Sequence, residues 1–216
     1  MPGSLSYADT MAVNEATLAE LNTSYVDLLL VHFPVPSQPF NASAGSAALR
    51  QAQWRAMEDF AKAGKARAIG VSHHCQRHME DILAVATLPI AANQVEYHVG
   101  MRGGADSQAW MASRNITLLS YLPLCGQCDG ADGHELINGT LVTAIGAKHG
   151  KSGAQVSIRW LVQSGVPAIP RSRQPAFTAQ DLDVFDFELD ATDMAALNAA
   201  TSPAPDDGPK ADCVFP

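Results

Sequence analysis

The sequence predicts an α/β fold of the (β/α)8 TIM-barrel type, in which parallel strands alternate with helices. Short apolar runs alternate five times with helical patterns, and such alternation forms right-handed βαβ units around a parallel sheet. No GxGxxG motif follows any of these runs, which disfavours a Rossmann fold and leaves the barrel. A complete barrel has eight strands in roughly 250 residues. This sequence supplies about five of the eight βα units in 216 residues.

The composition is that of a globular protein with one core. Hydrophobic residues make up 47% of the sequence and charged residues 17%, so we expect a single domain over residues 1–216. The net charge of -8 argues against nucleic acid or an anionic membrane as a partner. No apolar run reaches the ~20 residues of a membrane span. The first ten residues lack the features of a signal peptide, which favours a cytoplasmic protein.

The run YVDLLLVHFP (25–34) contains the clearest strand signal. Five aliphatic residues in the six positions 26–31 predict a strand that is buried on both faces, as in a parallel sheet. Pro34 ends the strand because proline cannot donate the next ladder hydrogen bond. His32 therefore stands at the carboxyl end of the strand, where parallel α/β folds place their functional groups.

Helical patterns precede every predicted strand. Gly64 and Gly165 are suitable C-terminal stops, Ser152 is a suitable N-cap, and Asp9 or Thr10 lies near the start of the first helix. We predict further strands over 66–72, 91–97, 117–123 and 166–172, and helices over 8–24, 46–64, 77–87, 106–115, 152–165, 175–183 and 191–200.

The four cysteines do not form an obvious metal or disulfide framework. The segment CGQC (125–128) has the spacing of a redox or metal pair, but no second pair accompanies it. We therefore expect free thiols, as in a reducing cytoplasm. Three histidines lie near Cys75, but adjacent side chains point apart, so we expect no shared metal. They are His73, His74 and His78.

Five strings taken together resemble the aldo-keto reductase family. YVDLLLVHFP, GKARAIGVS, ANQVEYH, SYLPL and IPRS…VFDFEL occur in the family's order from about residue 10 to residue 200. The resemblance implies a (β/α)8 barrel whose carboxyl face binds NADPH and reduces small aldehydes and ketones to alcohols. It also implies that the five strands are the fourth to eighth strands of that barrel.

The resemblance assigns a catalytic position to His32. In the family a Tyr is the general acid, supported by Lys, Asp and His, and the His follows the fourth strand. An imidazole there can donate a hydrogen bond to the carbonyl oxygen of the substrate as that oxygen gains charge. The resemblance also implies that Phe33 is an apolar substrate contact and that the loop 35–45 forms one wall of the pocket.

The other three catalytic residues of the family have no counterpart upstream of His32. The upstream tyrosines are Tyr7 and Tyr25, neither of which lies in the family's motif, and the first lysine is Lys62. We therefore expect that the chain lacks the amino-terminal third of the barrel. As it stands, we expect it to be catalytically inactive.

The resemblance places the nicotinamide contacts in the part of the barrel that remains. Ser72 and Gln94 match residues that bind the carboxamide, and His73 stands where the family has Asn. Tyr121 matches the tyrosine that stacks on the nicotinamide ring. Leu122 replaces a Ser that contacts the pyrophosphate. Leu124, in the same string, is the remaining cofactor contact that the resemblance implies there.

The resemblance places the adenosine end of the cofactor near the last predicted strand. Arg171 and Ser172 match the pair that holds the 2′-phosphate, and a guanidinium suits phosphate because it can bind two oxygens at once. Phe177 replaces a second Arg of the family, and Asp181 replaces the Asn that binds adenine. These residues predict NADPH as the cofactor, with weakened contacts at two positions.

Two interpretations compete with a carbonyl reductase. Some relatives of this fold serve as regulatory subunits, so the chain is alternatively a non-catalytic protein that binds nicotinamide nucleotides. A third interpretation is an expressed fragment without a stable fold. Cofactor binding distinguishes a non-catalytic binding protein from an unfolded fragment. Turnover distinguishes a carbonyl reductase from both.

Overall fold

The computed structural model describes residues 6–34, 47–101, 104–125 and 134–203. Within these ranges the strands are β1 (Val26–Val31), β2 (Ala66–Ser72), β3 (Ala92–Glu96), β4 (Thr117–Tyr121) and β5 (Ala168–Ile169). The helices are α1 (Tyr7–Glu20), α2 (Ala47–Lys62), α3 (Gln76–Leu83), α4 (Gly104–Ala112), α5 (Glu135–Asn138), α6 (Thr140–His149), α7 (Gly153–Gln163), α8 (Pro175–Leu182) and α9 (Ala191–Asn198).

The strands form one sheet in the order β1-β2-β3-β4-β5. β1 pairs parallel with β2, β2 pairs parallel with β3, and β4 pairs parallel with β5. The sequential order and the parallel direction are those of successive βα units. The predicted α/β class with parallel strands is therefore confirmed.

The chain divides into two compact units. Among the described residues, the first unit comprises 6–34, 47–94 and 109–117, and the second comprises 95–101, 104–108, 118–125 and 134–203. No helix in the described part of the chain is both long enough and apolar enough to cross a membrane.

The core of the first unit is built around α2. Trp54, Met57 and Phe60 are almost fully buried, and their spacing of three residues places them on one helix face. Leu49, near the start of the same helix, is 37% exposed. Glu58 fixes the chain after α3, because its carboxylate accepts hydrogen bonds from the backbone N–H groups of Thr87 and Leu88 at 2.5 and 2.8 Å.

The prediction that β1 is buried on both faces is wrong. Leu29 and Val31, which share one face, are buried, whereas Leu28 on the other face is 38% exposed. Side chains alternate between the two faces of a strand, so only one face of β1 is covered. In the described sheet β1 is an edge strand that pairs with β2 alone.

In the second unit, α7 begins as predicted and β5 is shorter than predicted. Ser152 caps α7, because its Oγ accepts a hydrogen bond from the N–H of Gln155 and the Gln155 side chain accepts one from the N–H of Ser152. β5 has two residues instead of seven. Pro167 and Pro170 flank it, and proline has no N–H to extend the ladder.

Candidate functional site

Three aromatic rings meet at the carboxyl ends of β1 and β2 in the first unit. The chain leaves β1 at Val31, and the exposed His32 and the half-buried Phe33 follow directly. The ring of Phe33 stacks on that of His32 at 3.9 Å and on that of His73 at 4.8 Å, and the rings of His32 and His73 are 5.5 Å apart. The structure thus brings both predicted substrate-contacting residues together with the first residue after β2.

Ser72 and Gln94 are neighbours because the parallel register of β2 and β3 pairs them. The buried Ser72 donates a hydrogen bond from Oγ to the carbonyl oxygen of Gln94 at 2.8 Å. The side-chain amide of Gln94 is half-buried and has no hydrogen bond to any other described residue. This amide therefore offers two donors and one acceptor to a ligand at the strand ends.

His73 adopts a backbone conformation that few residue types accept. Its φ of 55° lies in the left-handed region, where Asn, Asp and His are enriched among residues other than Gly. Its N–H also donates to the carbonyl oxygen of Gln94 at 3.0 Å. Histidine at position 73 therefore adopts the same left-handed backbone conformation that Asn favours. Its side chain contributes a stacked ring instead of an amide.

Two buried side chains, His74 and Asn93, support this group from behind. His74 donates from Nδ1 to the carbonyl oxygen of Ser72 at 2.7 Å, and burial lowers the pKa of His74 to about 3. Asn93 donates from its amide to the carbonyl oxygen of His74 at 2.8 Å. Both residues hold the end of β2 in place. The neighbouring HH and NQ dipeptides in the sequence are the signal that marks them.

In the second unit the turn after β4 contains two strained positions. Leu122 has a φ of 48° and Cys125 a φ of 66°, and the N–H of Cys125 donates to the carbonyl oxygen of Leu122 at 2.8 Å. A bulky residue with positive φ is uncommon and costs about 1–3 kcal/mol. Tyr121 and Leu124 are half-buried on either side of Leu122.

A cavity of about 790 Å³ lies beside β5 and α8 in the same unit. Ser172 and Asp181 line it, and burial raises the pKa of Asp181. Arg171 is exposed and makes no hydrogen bond or ion pair with any described residue. Phe177 on α8 is 51% exposed. The predicted phosphate-binding pair thus includes one free cation beside a cavity with an acidic wall.

The prediction that the thiols are free is wrong for Cys125, which is disulfide-bonded. Cys75 is buried and is not disulfide-bonded. The other two cysteines, Cys128 and Cys213, lie outside the described residues. The loop 35–45, predicted to form a wall of the substrate pocket, also lies outside them.

Comparison with known proteins places these features in one family. The model of the Aldo/keto reductase family matches residues 1–202. A glyoxal reductase of Bacillus subtilis (strain 168) is 34% identical over 194 residues, which are 89% of this chain and 63% of that protein. The chain thus spans less than two thirds of the length of this relative.

Solved structures give the same result. An aldo-keto reductase enzyme from a Medee basin deep-sea metagenome library has a TM-score of 0.81 and 30% identity over 93% of this chain and 68% of its own. An aldo-keto reductase complexed with NADPH has a TM-score of 0.79 and 25% identity over 94% of this chain and 63% of its own. The family match and these likenesses show that the chain belongs to the aldo-keto reductase family.

Proposed function

We propose that this polypeptide takes part in the NADPH-dependent reduction of aldehydes or ketones to alcohols. The observation that carries the proposal is the pairing of Ser72 with Gln94. It sets a buried hydroxyl at the carboxyl end of β2 beside an amide of β3 that has no hydrogen-bond partner among the described residues. A side-chain amide can donate a hydrogen bond to the carbonyl oxygen of the nicotinamide carboxamide and accept one from its NH2 group. Bound NADPH supplies the hydride, and the chain supplies binding and orientation.

His32 is the residue that we assign to the substrate carbonyl. It is exposed at the end of β1 and stacks on Phe33 at 3.9 Å. An imidazole N–H there donates a hydrogen bond to the carbonyl oxygen, which gains negative charge during reduction. Phe33 offers an apolar surface to the rest of a small carbonyl substrate. The stacking holds the imidazole in one orientation. It therefore reduces the conformational entropy that the side chain loses when the substrate binds.

We assign the adenosine 2′-phosphate of the cofactor to Arg171 and Ser172. The support is the exposed guanidinium of Arg171, which has no partner among the described residues, and the position of Ser172 on the wall of the cavity. Asp181 lies on the same wall, and its carboxylate repels a phosphate group. Because burial raises the pKa of Asp181, this repulsion is stronger at neutral than at acidic pH.

Cofactor binding without turnover is a second candidate, and the surroundings of the tyrosines favour it. The hydroxyl of Tyr7 donates to Asp59 at 2.9 Å, and this hydrogen bond raises the pKa of Tyr7. A general acid near neutral pH needs a lowered pKa. Tyr97 is buried and stacks on Trp160. We therefore assign the proton donor to neither Tyr7 nor Tyr97.

A cofactor titration tests the proposal at its central observation. We expect Gln94→Leu, which keeps the size of the side chain and removes the amide, to weaken NADPH binding by about tenfold. Gln76→Leu is the matched control, because Gln76 is exposed on α3 in the same unit and its replacement leaves binding unchanged. The enhancement of NADPH fluorescence measures both dissociation constants. Equal affinity in the wild type and Gln94→Leu would refute the assignment.

A further inference from the structure

A buried cluster of three metal-ligating residue types lies in the second unit, outside the proposed cofactor contacts. Glu96 is the last residue of β3, His98 follows two residues later, and Cys125 ends the turn after β4. All three are buried, with exposed fractions of 0%, 0% and 1%. Their ligand atoms all lie within 4.8 Å of one another. Carboxylate, imidazole and thiolate are the ligands that Zn²⁺ takes in proteins.

The hydrogen bonds of His98 orient its ring for metal binding. Nδ1 lies 2.7 Å from the carbonyl oxygen of Val99, which can only accept, so Nδ1 carries a proton. This leaves Nε2 facing Glu96, 3.2 Å from its Oε1. A hydrogen bond from one ring nitrogen to a backbone carbonyl is the arrangement that fixes metal-binding histidines in proteins.

The distance between these two atoms suits a shared ion. Zn²⁺ binds nitrogen and oxygen at about 2.0–2.2 Å in a tetrahedral arrangement, which separates two ligand atoms by about 3.3–3.6 Å. The observed separation of Nε2 and Oε1 is 3.2 Å. A metal ion therefore fits between Nε2 and Oε1 with only a small shift of the two side chains. The Cys125 sulfur is the third ligand.

The redox state of Cys125 decides whether the third ligand exists. Cys125 is disulfide-bonded, and the thiolate is the form of cysteine that binds metals. We propose that reduction of this disulfide opens a site for Zn²⁺ or a similar divalent cation, with Glu96, His98 and Cys125 as ligands. While the disulfide is intact, Cys125 has no thiolate with which to bind the cation.

The proposed steps balance in atoms, electrons and charge. A dithiol reductant transfers two electrons and two protons, so the disulfide becomes two thiols and the reductant becomes a disulfide. The divalent cation then displaces the thiol proton of Cys125 and binds the carboxylate of Glu96 and the neutral imidazole of His98. The resulting set has one thiolate, one carboxylate and one neutral imidazole around a double positive charge. Its net charge is zero, which suits a buried position.

Cobalt titration of the whole chain tests this proposal, because Co²⁺ replaces Zn²⁺ and absorbs in the near ultraviolet when it binds thiolate. The protein is kept oxidised or is reduced with a water-soluble phosphine. We expect the band only in the reduced protein, at one cobalt per chain. We expect it to be absent from Cys125→Ser and retained in Cys75→Ser, a matched control because Cys75 is also buried. Zn²⁺ should displace the cobalt and remove the band.

Two further variants separate this site from binding by cysteines alone. We expect Glu96→Gln and His98→Asn to weaken cobalt binding by about tenfold or more. Far-ultraviolet circular dichroism of the reduced, metal-free variants checks that they are folded, and binding is compared only between folded proteins. An unchanged band in both folded variants would overturn the proposal, as would equal binding by the oxidised protein. If neither variant folds, the intensity of the band in the reduced wild type decides, since one thiolate per cobalt supports the proposal and two thiolates contradict it.

Discussion

The ring of Phe33 stacks on the ring of His73 with their centroids 4.8 Å apart. This contact joins the residue after the proposed catalytic histidine to the residue after Ser72. In the proposed site, His73 stands where the family resemblance implies an amide side chain. A stacked imidazole is less mobile than an unstacked amide. Histidine in place of asparagine therefore removes one hydrogen-bonding group and adds a fixed aromatic surface between the candidate substrate and cofactor contacts.

The first prediction concerns cofactor preference. We expect Arg171→Ala to weaken NADPH binding by about ten- to a hundredfold, because it removes a charge-assisted contact to the 2′-phosphate. NADH lacks this phosphate, so its affinity should not change. Arg173→Ala is the matched control, since Arg173 is exposed two residues away and should leave both affinities unchanged. Dissociation constants for the two cofactors, measured on the three proteins, check the prediction. A wild type without preference for NADPH would refute it.

The second prediction concerns stability at acidic pH. Burial lowers the pKa of His74 to about 3, whereas the unfolded chain binds this proton near pH 6.5. Below pH 6.5 the unfolded state therefore binds more protons than the folded state, and the free energy of unfolding falls as the pH decreases. The contribution of His74 to this slope is at most about 1.4 kcal/mol per pH unit.

Urea unfolding between pH 7 and pH 5 measures this slope. We expect a flatter dependence in His74→Asn, whose amide can keep the hydrogen bond to the carbonyl oxygen of Ser72. His134→Asn is the control, because His134 is exposed and should keep the slope of the wild type. If His74→Asn and the wild type lose stability equally between these pH values, His74 is not the group responsible.

The third prediction concerns self-association. β1 is an edge strand in the described sheet, and Leu28 on it is 38% exposed. Exposed apolar edge strands pair with other chains unless a charge opposes the pairing. We therefore expect the chain to form oligomers, and Leu28→Lys to shift it towards monomer. Leu141→Lys is the control, because Leu141 is equally exposed at 37% but lies on α6. Sedimentation velocity distinguishes the species, and a monomeric wild type would contradict the prediction.

Strong local signals predicted much of the fold. The prediction of β2 agrees with the structure at both ends, because its apolar run begins and ends with small residues. Ser152 was recognisable as the N-cap of α7. α1 begins behind its N-cap Ser6, and Asp9 lies in the first turn, as predicted, where its carboxylate accepts a hydrogen bond from the Ser6 hydroxyl. α6 was missed because its buried residues, Val142 and Ile145, give only a narrow apolar stripe.

Candidate site residues could be proposed from the sequence where they stand at the ends of strands. They could not be proposed where the site depends on which cysteines form a disulfide. His32 and Ser72 could be proposed because each follows or ends an apolar run, and Gln94 could be proposed because the family resemblance implies it. The disulfide of Cys125 could not be placed, since sequence spacing does not determine which cysteines pair. Glu96 and His98 are two residues apart, which puts both side chains on one face of an extended segment, but the approach of Cys125 to them depends on the fold and cannot be read from the pattern.

The last prediction separates cofactor binding from catalysis. We expect the 216-residue chain to bind NADPH weakly and to oxidise it with a reactive aromatic aldehyde no faster than the uncatalysed reaction. A positioned general acid contributes about a hundred- to ten-thousandfold, and the surroundings of Tyr7 and Tyr97 do not suit that role. A chimera that carries the preceding βα units of a close relative, including its Tyr and Lys, should turn over.

Replacement of His32 in both proteins completes this test. In the chimera, His32→Ala should lower kcat while the dissociation constant of NADPH stays unchanged, because the imidazole contacts the substrate carbonyl and not the cofactor. His134→Ala, at an exposed position, should leave kcat unchanged. In the 216-residue chain His32→Ala should have no effect on the background rate. Robust turnover by that chain, abolished by His32→Ala, would show that a proton donor lies within it and that its tyrosines were wrongly dismissed.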